Sequence, residues 1–177
     1  RRYLAILILF FFVILIFERR VYPYWIWTPK TGRWVNPKYA VKQNPKEQLK
    51  FALEFYQNED CGSAIREFRK LLKYYPRAYE ASEAQFYWGE CLMKKGDYYA
   101  AYKAYQKVID KYPFSERIQE IIEKEYQIAE KFISGEAQRE LLGVRVPVEN
   151  PAIEILEQVI ENSTYGPLAP IAQYKLG

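Results

Sequence analysis

Histidine is absent from this chain of 177 residues. That removes the commonest general base at neutral pH and the commonest metal ligand. Cysteine occurs only twice, at Cys61 and Cys91, and the two form no CxxC pair. They read as small buried hydrophobes, with a disulfide left open because connectivity cannot be deduced from spacing. No glycine-rich phosphate loop is present, and no two residues read as an acid–base pair. The net charge is only +4, with Lys and Arg spread along the chain. The dense basic block that nucleic-acid binding needs is missing. These absences leave no catalytic residue, metal ligand or cofactor to name. They argue against an enzyme, a small-molecule substrate and a nucleic-acid partner.

What is abundant is apolar and aromatic. Half the residues are hydrophobic, enough for one domain with a real core. The 17 Tyr suit stacked helix pairs, where the ring packs inside while the hydroxyl reaches water.

The dominant pattern is a stretch that occurs twice, Asn44–Pro76 and Ala81–Pro113. Ala52, Phe55, Asp60, Ala64, Phe68 and Pro76 recur as Gly89, Leu92, Asp97, Ala101, Tyr105 and Pro113, at a constant offset of 37 residues. A period of this size signals a solenoid of helix pairs, in which no unit buries its apolar face alone. Asn44-Pro45-Lys46-Glu47 is a helix start, with Asn at the N-cap, Pro at the first helical position and Glu behind it. Helix A of the first repeat is predicted to run to about Asn58. Asp60 caps helix B, which carries Ala64, Ile65, Phe68, Leu71 and Leu72 at helical spacing and ends at Tyr75-Pro76. In the second repeat Ala84, Trp88, Leu92 and Met93 line helix A. Lys95-Gly96-Asp97 supplies a C-cap glycine and an N-cap. Ala101, Ala104, Tyr105, Val108 and Ile109 line helix B. The small residues at 52/89 and 64/101 let helices A and B approach closely, while 55/92 and 68/105 fill the space alongside.

The third repeat is irregular. Ser115 is expected to cap a helix with Ile118, Ile121, Ile122, Tyr126, Ala129, Phe132 and Ile133 inside. Gly135–Glu149 then breaks the register. Asn150-Pro151 starts a helix with Ala152, Ile153, Leu156, Val159 and Ile160. Ala169, Ala172, Gln173 and Gly177 echo Ala81, Ala84, Gln85 and Gly89, the start of a fourth unit. The expected repeats are thus 44–80, 81–114 and 115–165, with the insertion 135–149, and a partial fourth over 166–177. Arg66, Glu67, Arg69 and Lys70, and likewise Glu116, Glu120, Glu123, Lys124 and Glu125, read as solvated helix faces.

Ahead of the repeats, residues 1–20 read as a signal peptide or signal-anchor helix. Arg1-Arg2 precede the apolar run Leu4–Phe17, and Glu18-Arg19-Arg20 follow without a small-residue cleavage site. As a helix the run is about 21 Å long, shorter than a ~30 Å hydrocarbon core. The connector 21–43 holds Pro23, Pro29 and Pro37 and three of the 4 Trp. It is predicted to form two short extended pieces around Pro29-Lys30-Thr31-Gly32. Trp25 and Trp27 are expected at a membrane interface and Trp34 docked on the repeats. Without an initiator Met, and ending inside a repeat, the sequence is expected to be part of a longer chain.

Gly89, Leu92, Ala101, Tyr105 and Pro113 match the small, bulky, small, aromatic and proline positions of tetratricopeptide repeats, which the chain resembles over both complete units. Those repeats usually run 34 residues, and the extra three fall in the turn Arg77–Ser82. The export signal, Lys73-Tyr74-Tyr75-Pro76, Asp110-Lys111-Tyr112-Pro113-Phe114 and the insertion in the third unit together resemble the BamD family, over roughly Pro45–Gly177. That family is the periplasmic repeat component of the machine that assembles outer-membrane β-barrels. Tol–Pal-associated coordinators read similarly, and the insertion favours BamD. The family carries an acylated Cys after its signal peptide, whereas no Cys precedes Cys61 here.

The expectation is therefore an all-α tetratricopeptide-repeat solenoid behind an N-terminal hydrophobic helix, working as a protein-binding scaffold on the periplasmic side of the bacterial envelope. Its N-terminal segment would meet the outer or the inner membrane, or the chain would be exported and soluble. Its partners would be a β-barrel assembly core protein or unfolded outer-membrane protein segments. The groove-facing positions of the A helices are predicted as Leu49, Leu53, Tyr56 and Gln57, then Phe86, Glu90, Met93 and Lys94. Leu49 and Leu53 stand where a carboxylate-clamping repeat would need Lys and Asn, so an apolar or aromatic segment suits this groove.

Overall fold

A computed structural model describes residues 25–28, 32–36, 40–137, 140–141, 144–145, 151–163 and 166–177. The hydrophobic helix expected over 1–20 lies outside them. The chain divides into two compact units, Arg1–Ala40 and Val41–Gly177.

In the first unit, β1 (Ile26–Thr28) and β2 (Arg33–Val35) form an antiparallel hairpin with Trp27 opposite Trp34. Gly32 before β2 sits at φ 59°, a conformation that glycine adopts without strain. The Trp34 ring is 63% exposed and lies edge-on to Trp27, with centroids 5.8 Å apart.

The second unit holds the seven helices seen among the described residues. They are α1 (Pro45–Gln57), α2 (Cys61–Tyr74), α3 (Tyr79–Lys94), α4 (Tyr98–Lys111), α5 (Ile118–Ile133), α6 (Pro151–Asn162) and α7 (Leu168–Leu176). Each packs on the next, and α1 and α5 also meet α3 and α7 respectively. A short hairpin, β3 (Glu140–Leu141) with β4 (Val144–Arg145), lies between α5 and α6, where only an irregular insertion was expected. None of these helices is long and apolar enough to cross a membrane.

The local chemistry repeats with the period. Asn44 Oδ1 accepts from the Glu47 amide at 2.9 Å, while Asn44 Nδ2 donates to Glu47 Oε1 at 2.8 Å. This reciprocal capping satisfies donors that a helix start leaves orphaned. Asp60 and Asp97 cap α2 and α4 by accepting from the Ser63 and Ala100 amides. The amides of Asp60 and Asp97 bond back to the carbonyls of Phe55 and Leu92, and those of Glu59 and Gly96 to Tyr56 and Met93. This is the Schellman closure, which puts its C′ residue in the left-handed region. Gly96 accepts that conformation at φ 77°; in the first repeat Glu59 must adopt it, at φ 60°.

Between helices A and B, Gly89 is the point of closest approach. A Cβ there would lie 2.4 Å from the Tyr105 ring. Gln48 and Gln85, a pair that the sequence reading missed, are both buried. They donate to the carbonyls of Glu67 and Ala104 at 3.1 and 3.0 Å, bonding helix A to helix B in each repeat. Tyr75 and Tyr112 end the B helices, and their hydroxyls donate back to the carbonyls of Lys42 and Pro76.

The third repeat departs from expectation in four places. Arg117, not Ser115, is the N-cap of α5, and the Ser115 hydroxyl instead accepts from the Arg117 amide. In α6 the phase turns Ile155 into the core and leaves Ile153 half exposed. In α5 Ile128 is buried and Ile133 is exposed. Glu125, read as surface, is fully buried among α5 and its neighbours. Its Oε2 meets Asn162 Nδ2 at 3.5 Å and its Oε1 has no partner among the described residues. Burial pushes its carboxyl from 4.5 up to about 8, with only partial relief from Asn162. Glu67 is a similar case: it too is buried, and it takes hydrogen bonds from Gln48 and Lys70.

Three measurements test these readings. Gly89→Ala should lose about 1–3 kcal/mol in urea unfolding, because overpacking against Tyr105 outweighs the better helix propensity of Ala. Glu59→Gly should gain about 0.5–1 kcal/mol, seen as a higher midpoint at unchanged slope, by relieving the left-handed residue. The third measurement is a pH profile. Glu125 holds its proton in the native state while the unfolded chain ionises freely, so stability should be full below pH 4.5 and decline as pH rises to about 8. Glu125→Gln should flatten that decline and add on the order of 1–3 kcal/mol at the alkaline end.

Candidate functional site

The A helices α1 and α3 stand side by side. Ala52, Ala81 and Ala84 turn inward against Ala64, Phe68 and Leu71, and leave the edges of both A helices bordering a seam. At that seam lies a pocket of about 530 Å³. Lys46, Leu49, Lys50, Leu53, Glu54 and Gln57 of α1 line one wall, and Tyr79 and Glu80 of α3 the other. Leu49 and Leu53 are partly buried, and the Tyr79 ring is 65% exposed. Lys46 and Lys50 stand on α1 at one end of the wall, and Glu54 and Gln57 at the other. The pocket therefore offers an aliphatic floor between a basic and an acidic margin.

Of the eight predicted groove residues, this pocket brings together three: Leu49, Leu53 and Gln57. Tyr56 is drawn inward instead. Its ring meets Tyr87 edge-on at 5.1 Å and lies under the Lys94 ammonium at 4.4 Å. Burial, reinforced by the Glu90 charge, pushes the Tyr56 hydroxyl up to about 12. Lys94 thus stays on the surface as a lid over an aromatic face. Met93 packs against the core of the following helices. Phe86 needs correction as a groove residue. Its ring is 2% exposed and packs between Tyr87 and Tyr105 at 5.3 and 5.8 Å. The cause is the close approach at Gly89, which draws this side of α3 onto α4.

The next seam, between α3 and α5, is bridged by charged side chains. Arg117 makes a two-pronged pair with Glu83, Nε to Oε1 at 3.0 Å and Nη2 to Oε2 at 3.1 Å, and reaches Glu120 at 2.8 Å. Those carboxylates raise the guanidinium further above its usual range. Its plane lies 4.7 Å over Phe86. Glu90, the remaining predicted groove residue, is occupied from two sides, by the Tyr105 hydroxyl and by Lys124 Nζ at 3.0 Å. Burial and this bond hold the Tyr105 hydroxyl well above its ordinary range.

The sequence reading missed Lys46, Lys50, Glu54, Tyr79 and Glu80 in the pocket wall. The signal was present on α1: positions 46, 50, 53 and 57 form one helical stripe beside Leu49. For Tyr79 it was hidden, because α3 begins two residues ahead of the repeat boundary placed at Ala81. No group of His, Cys, Asp and Glu among the described residues could hold a metal ion, and Cys61 and Cys91 are free and buried.

No curated protein matches the chain. Residues 49–116, spanning α1 to the end of the second repeat, match the family model described as Tetratricopeptide repeat. Repeats of that kind generally mediate protein–protein contacts and typically act as non-enzymatic scaffolds. The matched segment contains most of the lining of the α1–α3 pocket.

Proposed function

We propose that the chain is a protein-binding scaffold whose α1–α3 seam takes an apolar segment of a partner protein. The observation that carries this is the open, leucine-floored pocket between the A helices of two matched tetratricopeptide repeats. Seams of this kind receive extended or helical segments through alternating side-chain anchors, and mixed charges at the margins set the direction of entry. The wider role we propose is BamD-like, on the periplasmic side of the cell envelope in outer-membrane β-barrel assembly. The resemblance in repeat spacing and insertion and the apolar run Leu4–Phe17 support it. β-Barrel segments alternate apolar and polar residues, and so present the aliphatic and aromatic anchors such a floor accepts.

Leu53→Glu tests the seam. It places a charge on the pocket floor at a partly buried position, and circular dichroism verifies that the helices remain intact. Capture of a purified barrel-assembly core protein should weaken by about tenfold or more, a cost of about 1.4 kcal/mol or above. Undiminished capture by a folded Leu53→Glu chain would show that the seam is not the binding surface. Unchanged outer-membrane protein levels on loss of the chain would remove the assembly role.

A further inference from the structure

The β1–β2 hairpin carries a surface that the groove reading does not use. Pairing of Trp27 with Trp34 puts both indoles on one face, where their rings meet edge-on. Strand alternation places Trp25, two residues before Trp27, on the same side. These three rings are 59%, 47% and 63% exposed in chain order, and Ile26 on the opposite face is half exposed. A contiguous aromatic patch of this kind marks a surface that meets something other than water. A hairpin of two three-residue strands is also marginal by itself and gains from adsorption.

Three features on the chain identify the occupant. First, the apolar run Leu4–Phe17 ends shortly before Trp25, with only Glu18–Tyr24 between. Backbone reach limits that span to about 25–30 Å, so the hairpin cannot leave the neighbourhood of whatever layer holds the run. Second, from Glu18 to Asn36 the charges are Arg19, Arg20, Lys30 and Arg33 against a single acid, Glu18. Basic residues beside a membrane gain about 1 kcal/mol each from anionic headgroups. Third, tryptophan is the side chain that this boundary favours, with an apolar body and one N–H donor. A protein groove would explain the indoles but not the basic excess beside an apolar run.

We propose that the Trp25, Trp27 and Trp34 face lies in the headgroup layer of an anionic bilayer, a second membrane contact beside the apolar run. This inference is independent of the α1–α3 seam and survives its failure.

The test uses the full chain in vesicles of phosphatidylglycerol and phosphatidylcholine. In three variants a single hairpin Trp is kept and the other hairpin indoles and Trp88 are changed to Phe. A fourth keeps Trp88 alone, as a reference on the repeat array. Bromines are carried on the lipids either near the headgroup or at the acyl terminus. Depth is the readout because the apolar run can hold every variant on the vesicle. The expected result is blue-shifted emission from each hairpin Trp, strongly lost to shallow bromines and little to deep ones, with Trp88 unquenched by either. Red, unquenched emission would mean a solvated face and overturn the proposal. Blue emission that neither bromine quenches would mean a face covered by protein, and would overturn it equally. Shallow quenching that persists unchanged in phosphatidylcholine alone would overturn its anionic part.

Discussion

Each repeat depends on how closely its A and B helices can approach. At Gly89 there is no room for even a methyl group beside the Tyr105 ring, and Ala52, Ala64 and Ala101 are fully buried at the matching contacts. Close packing of this kind forces the polar backbone and side chains at the contact to find partners. The buried amides of Gln48 and Gln85 meet that demand by donating across to helix B. The same approach draws Phe86 into the core. The surface of α3 that remains for a partner is therefore narrower than its apolar pattern implies.

Much of the repeat architecture was legible because period and turn chemistry agree. The caps at Asn44, Asp60 and Asp97 and the closures at Tyr75-Pro76 and Tyr112-Pro113 involve residues with few alternative uses, so sequence and structure coincide there. The candidate site was half legible. Helical spacing finds Leu49, Leu53 and Gln57, yet it treats all apolar residues of an A helix alike. It cannot separate Phe86, which faces α4, from Leu53, which borders the seam. That division depends on the angle between helices.

Charged residues were least legible. Glu67 and Glu125 occur in runs that look like solvated faces, and each is decided by a partner distant in sequence: Gln48 and Asn162. No local pattern records such pairings. Glu59 is the converse case. Its neighbours dictate a left-handed residue, but the sequence supplies glycine at only one of the two equivalent positions. The first repeat keeps the geometry because the Phe55 and Tyr56 carbonyls still accept the two closing amides.

The three seams between alternate helices differ in what it takes to part them. The α3–α5 seam is held by Arg117 with Glu83 and by Lys124 with Glu90, and the α5–α7 seam is tied by Lys175 to Glu130 at 2.8 Å. Among the described residues, the α1–α3 seam alone of these three carries no such ionic bridge. Parting α1 from α3 would therefore separate no ion pair, whereas parting either of the other two seams would separate charges that now meet.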